Sequence, residues 1–133
     1  MATIKSYTDL EQSKKLAEIL LIESADMVLW GKDFKSVCAD IHAQEFMNGL
    51  ECKKMNYVPC WSLAALLGVL PNNEHITTTL SRGGWKIEPP EYIDKWWCEY
   101  EDADNTRDFS VSADSPVDAC VEMIELLKER DLL

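Results

Sequence analysis

Residues 76–112, ITTTLSRGGWKIEPPEYIDKWWCEYEDADNTRDFSVS, decide the fold class. Ile76–Leu80 sets three threonines between apolar residues, a composition that fits a pleated, half-buried surface. Arg82-Gly83-Gly84 reads as a turn, and Trp85–Glu88 as a strand that Pro89-Pro90 interrupts. Ile93–Glu101 is an aromatic strand, residues 102–107 a polar hairpin loop, and Asp108–Ser112 alternates apolar with polar, Phe109 and Val111 sharing a side. The stretch predicts an antiparallel meander of three or four strands.

Helical signals flank it. Downstream, Ser115 is an N-cap, Pro116 sits at the first helical position and Asp118 completes a capping box. Val117, Cys120, Val121, Ile124 and Leu127 then form one apolar stripe, with Lys128 and Arg130 near the negative end of the helix dipole. Upstream, Pro59 precedes an apolar run, Cys60–Leu70, which predicts a buried central helix ended by Pro71-Asn72-Asn73. Thr8 and Glu11 make a capping box for a helix over Thr8–Leu21, with Leu10, Ser13, Leu16, Ala17, Leu20 and Leu21 on one face. Met27–Trp30 reads as a short strand, and Phe34–His42 fits either a short helix or a strand. The expected architecture is α+β: a small antiparallel sheet of three to four strands against about three helices, in one domain over residues 1–133.

Charge is uneven. The net charge is −11, yet residues 1–85 hold ten acids and eight bases while residues 86–133 hold fourteen and five. Such a second half argues against direct binding of nucleic-acid phosphates or anionic membranes, both of which call for Lys and Arg. The plain reading of the acids is a solvated, solubilising face; the sharper one is a surface for a basic protein, in its sharpest form a mimic of nucleic acid. Residues 1–10 hold one Lys and no apolar run, and the longest apolar stretch, Leu63–Leu70, is far too short to span a bilayer. A cytoplasmic protein is expected, with free buried thiols at its five cysteines.

In a strand Trp96 and Trp97 point to opposite faces. Trp96, Cys98 and Tyr100 make the better core face, which leaves Trp97 beside Glu99 and Glu101 on the other. Trp97, Glu99, Glu101, Asp102 and Asp104 are therefore the candidate partner-binding residues, an aromatic anchor among acids. The competing reading has Trp97 merely covering the outer sheet.

Other constellations are weaker. Cys38, His42, Cys52 and Cys60 could hold zinc, or Cys60 could act as a reactive thiol at a helix start. This is the alternative reading, a small metal-binding or thiol-dependent enzyme; paired-ligand spacing is missing, and buried thiols with a surface His explain the residues as well. Asp102, Asp104 and Asn105 lack the glycine and distant Glu of a calcium loop. No serine lies in a G-x-S-x-G turn, and Arg82-Gly83-Gly84 is too short for a phosphate loop. No catalytic residue, metal or cofactor is assigned. An exposed sheet face or edge strand could also form a homodimer interface.

Three blocks carry a resemblance: YTDLEQSKKLAEIL at 7–20, PCWSLAALL at 59–67 and ADSPVDACVEM at 113–123. In this order they resemble an uncharacterised family of short acidic proteins from phage, prophage and mobile-element regions of anaerobic gut bacteria. They cover about a quarter of the chain, and residues 31–57 fall outside the match. The resemblance brings no catalytic residues. It implies a cytoplasmic accessory protein of phage or mobile-element origin, which acts through contacts rather than catalysis.

Overall fold

A computed structural model describes residues 5–30, 32–39, 57–87 and 90–133. Among them are three α-helices and two antiparallel three-stranded sheets, an α+β arrangement. The described residues group into two compact units, Ser6–Val69 and Lys5 with Leu70–Leu133.

In the first unit, helix α1 spans Leu10–Ile19. Its N-cap is Asp9, not Thr8: the Asp9 carboxylate accepts from the Gln12 amide at 2.8 Å and the Gln12 side chain accepts from the Asp9 amide at 3.1 Å. Thr8 is taken by tertiary contacts. Its amide donates to the Trp61 carbonyl at 3.0 Å, its hydroxyl accepts from the Trp61 amide at 3.1 Å, and that hydroxyl bonds the Ser13 hydroxyl at 2.8 Å. The helix also stops short of Leu21, which is 77% exposed.

Strand β1 (Met27–Trp30) lies between β2 (Ser36–Ala39) and β3 (Tyr57–Cys60). Val28 faces Cys38 on one side and Pro59 on the other. Pro59 is tolerated because, among the described residues, β3 is an edge strand. The Phe34–His42 segment resolves as a strand over Ser36–Ala39; residues 40–42 lie outside the described residues. The run expected as one buried helix from Cys60 divides. Residues up to Cys60 extend in β3, and helix α2 is only Leu63–Val69. Of its residues Leu66 alone is buried, and Leu67 is 45% exposed, so an all-round apolar composition does not here mean a central position. Ser62 caps α2, accepting from the Ala65 amide at 3.2 Å, while its own hydroxyl donates to Asp26.

The second unit is a meander, β4 (Ile76–Lys86), β5 (Glu91–Asp102) and β6 (Arg107–Ala113), followed by α3 (Pro116–Glu129). Arg82-Gly83-Gly84 is not a turn. It lies inside β4, where the pairing register shifts between Arg82 and Gly84 and Gly83 takes φ +76°. A bulge of this kind needs a backbone that glycine adopts without penalty. Strand β4 ends at Lys86 instead, so the expected strand Ile76–Leu80 and the start of the second, Trp85-Lys86, are parts of one, and the meander has three strands.

Helix α3 packs on β5 and β6. Ser115 accepts from the Asp118 amide at 3.1 Å, and Pro116 opens the helix, as expected. The Asp118 carboxylate also meets Lys5 Nζ at 2.8 Å. The expected stripe Val117, Cys120, Val121, Ile124 and Leu127 is buried, together with Ala119 and Met123. The helix ends in a Schellman motif. Leu132 N–H donates to the Leu127 carbonyl at 2.8 Å, Asp131 N–H to the Lys128 carbonyl at 3.1 Å, and Asp131 takes φ +57°.

Candidate interaction surface

The register of β4, β5 and β6 sorts the second sheet into two faces. Cys98 pairs with Leu80 and Val111, and Tyr100 with Thr78 and Phe109; Cys98 and Tyr100 are buried. The Tyr100 and Phe109 rings lie 5.6 Å apart. This is the core face expected from the Trp96, Cys98, Tyr100 alternation, although Trp96 itself is half-buried.

The opposite face repeats a polar row. Trp97 is flanked by Ser81 and Ser112, Glu99 by Thr79 and Ser110, and Glu101 by Thr77 and Asp108. Glu99, Glu101 and Asp108 are exposed. Glu101 and Asp108 stand directly opposite one another, a like-charge cross-strand pair that disfavours the bare sheet. Trp97 is half-buried on this face. Its indole N–H is buried and has no hydrogen-bond partner among the described residues.

At one end of the sheet a groove of about 320 Å³ is lined by Glu74, His75, Thr77, Glu101, Asp102, Ala103, Thr106 and Asp108. Asp104 and His75 bracket the loop, with Oδ2 to Nδ1 at 2.9 Å. Asp102 has a different task. It is 6% exposed, and its carboxylate accepts from the Asn105 side chain at 2.9 Å and from the Asp104 and Asn105 amides at 3.1 and 3.3 Å. These bonds, led by the Asn105 side chain, hold its carboxyl below the usual carboxylate range. Asp102 thus closes the hairpin as an Asx turn and offers little to a partner.

Of the five sequence candidates, Glu99, Glu101 and Asp104 are open to solvent, Trp97 is half-open and Asp102 is turned inward. Period two already carried the signal for Asp102, which is in phase with Cys98 and Tyr100. The Thr77, Thr79, Ser81 row and Asp108 join the face only through strand register, and His75 and Glu74 only through the groove.

Of the alternative set, only Cys60 has its side chain among the described residues. His42 and Cys52 lie outside them. Cys60 is sealed, its thiol donating to the Thr8 carbonyl at 3.3 Å, and burial pushes its pKa up. A reactive thiol needs the reverse shift. Among the described residues no group of three His, Cys, Asp or Glu is placed to hold a metal ion, and no helix is long and apolar enough to cross a membrane.

Comparison of the chain with protein-family models, curated proteins and solved structures returns no match.

Proposed function

We propose that this protein is a non-enzymatic accessory protein that acts by contact, meeting a basic protein partner through the outer face of β5. The observation that carries this reading is the face itself. A half-open tryptophan stands in line with Glu99 and Glu101, and Asp108 adds a third carboxylate. No cation is set against these three acids among the described residues. An aromatic anchor suits a desolvated contact centre, and the surrounding acids suit steering of a positive partner. The resemblance to phage and mobile-element proteins supplies the setting, a cytoplasmic accessory role. The hydroxyl rows of Thr77, Thr79, Ser81, Ser110 and Ser112 offer hydrogen bonds around the anchor without adding charge.

The test is capture from lysate of the source cells by wild type, by Trp97→Ala and by a Glu99→Gln, Glu101→Gln, Asp108→Asn triple variant. Both variants are expected to lose the same basic protein, and wild-type capture to fall steeply between 50 and 300 mM salt. Capture that neither variant alters overturns the assigned face. Capture indifferent to salt overturns its electrostatic character. Displacement of the partner by duplex DNA identifies a DNA-binding face as what the acids meet.

A further inference from the structure

Helix α2 (Leu63–Val69) is uncharged and apolar throughout, yet of its residues only Leu66 turns fully inward. Ala64, Leu67 and Gly68, at i, i+3 and i+4, share the opposite face, and all three are exposed. The turn Ile22–Ser24 packs against α2, and Leu21 just before it is exposed as well. The face is thus a projecting leucine beside the hollows left by two small residues. Gly68 marks it as a place of close approach. It lies inside the helix and does not take the left-handed backbone of a terminating glycine. A Cβ there would meet no atom within 4 Å. Alanine would therefore fit and would favour the helix. Neither the backbone nor the packing of the chain itself calls for glycine at 68, whereas a second helix backbone laid across this face does.

We propose that the Ala64, Leu67, Gly68 face is a self-association surface, on which a second copy of this chain seats its own α2 in a weak two-fold dimer. Charge selects that occupant. Residues 55–73 hold no charged side chain, nineteen consecutive positions in a chain of net charge −11. A basic partner finds no carboxylate here to pair with, and two acidic copies repel each other least where neither carries charge.

Shape selects it as well. A two-fold contact needs both halves of the fit on one surface. This face holds both, so that Leu67 of each copy fills the hollow between Ala64 and Gly68 of the other. A helix of seven residues is about 10 Å long. It covers well below the roughly 800 Å² per partner of a stable interface, which sets the dissociation constant at about 100 µM.

The experiment is sedimentation velocity of the full chain between about 5 and 500 µM. The expected result is a weight-average mass that rises from monomer toward dimer with concentration. Added salt should leave the association unchanged or strengthen it, because screening relieves the repulsion between two acidic chains. That sign is opposite to the salt response of the basic-partner contact, so either can fail without the other. Leu67→Lys is expected to stay monomeric throughout, although it lowers the net negative charge and would by charge alone favour association. Gly68→Ala is expected to raise Tm by about 3 °C at the dilute end, yet to weaken association roughly tenfold by filling the hollow. A monomer at every concentration overturns the proposal. So does association that salt dissolves, or that either variant leaves intact.

Discussion

Removing one atom, the Tyr100 hydroxyl oxygen, tests the packing of the second unit. Tyr100 is 1% exposed, and its hydroxyl has no hydrogen-bond partner among the described residues. A hydroxyl desolvated without a bond costs about 1–3 kcal/mol on protein mutational scales. Tyr100→Phe removes that cost and keeps the ring against Phe109. It leaves a void of about 10 Å³, which at about 24 cal/mol per Å³ returns only some 0.2 kcal/mol. The variant should be more stable by about 1 kcal/mol, near 4 °C in Tm. Urea unfolding at constant m-value measures this directly.

The pH dependence supplies an internal check. Burial, with the charge of Asp102 adding to it and Arg107 partly opposing, raises the pKa of the Tyr100 phenol. The unfolded chain releases this proton near pH 10, the folded chain only higher. Between those values the unfolded state binds fewer protons, so wild-type stability falls as pH rises. The phenylalanine variant escapes this loss, and its advantage should widen above about pH 10. A variant less stable than wild type by about 1 kcal/mol at neutral pH would mean that the hydroxyl has a partner, and the reasoning fails. An advantage that stays flat from pH 9 to 11 refutes the assigned shift.

Other changes follow the same logic. Gly83→Ala should cost about 2 kcal/mol, because φ is +76° and a Cβ there would run into the Tyr92 hydroxyl, whereas Gly84→Ala meets open space and should fall within about 0.5 kcal/mol of wild type; equal costs for the two in urea melts would count against the bulge. Asp131→Gly should stabilise by about 1 kcal/mol, since Asp131 holds the left-handed position of the α3 Schellman motif, and thermal melts would show it as a raised Tm. Ser115→Ala should cost about 1 kcal/mol through the lost α3 cap, read as a lower urea midpoint. Asp102→Ala should destabilise the hairpin, and because the folded carboxyl titrates below its unfolded value, the deficit should be full above about pH 4–5 and shrink as pH falls through the folded pKa; a deficit independent of pH would show that the carboxylate is not what closes the loop.

What could be read in advance was local. Ser115 and Pro116 cap α3 with their own side chains and ring, and the stripe behind them repeats at helical spacing, so no distant residue has to be known. The β5–β6 hairpin was legible for the same reason, from alternation on both sides of a polar loop. The errors lie where a distant residue takes over a local group. Thr8 fits a cap by spacing, yet Trp61 and Ser13 claim it and the cap passes to Asp9. The paired glycines Gly83 and Gly84 suit a turn equally well as a bulge, and only the register with β5 distinguishes them. Met27–Trp30 read as a strand and is β1, but its assembly into a sheet escaped because the strands have four residues each and because β3, which joins β1 from a remote part of the chain, contains a proline. Trp97, Glu99 and Glu101 were placed on one face by period two alone, whereas the hydroxyl rows and Asp108 required the pairing.

The two faces of β5 bear on one another. Neighbouring residues of a strand point to opposite sides, so Cys98 is held between Trp97 and Glu99, which look outward. Glu101 and Asp108 repel each other on the outer face, by an amount on the order of 0.2–1 kcal/mol that salt screens. The sheet carries that cost because α3 buries an apolar stripe against its other side. A cationic group set over Glu101 and Asp108 would remove the repulsion, so the feature that weakens the bare sheet is the one that favours the proposed partner.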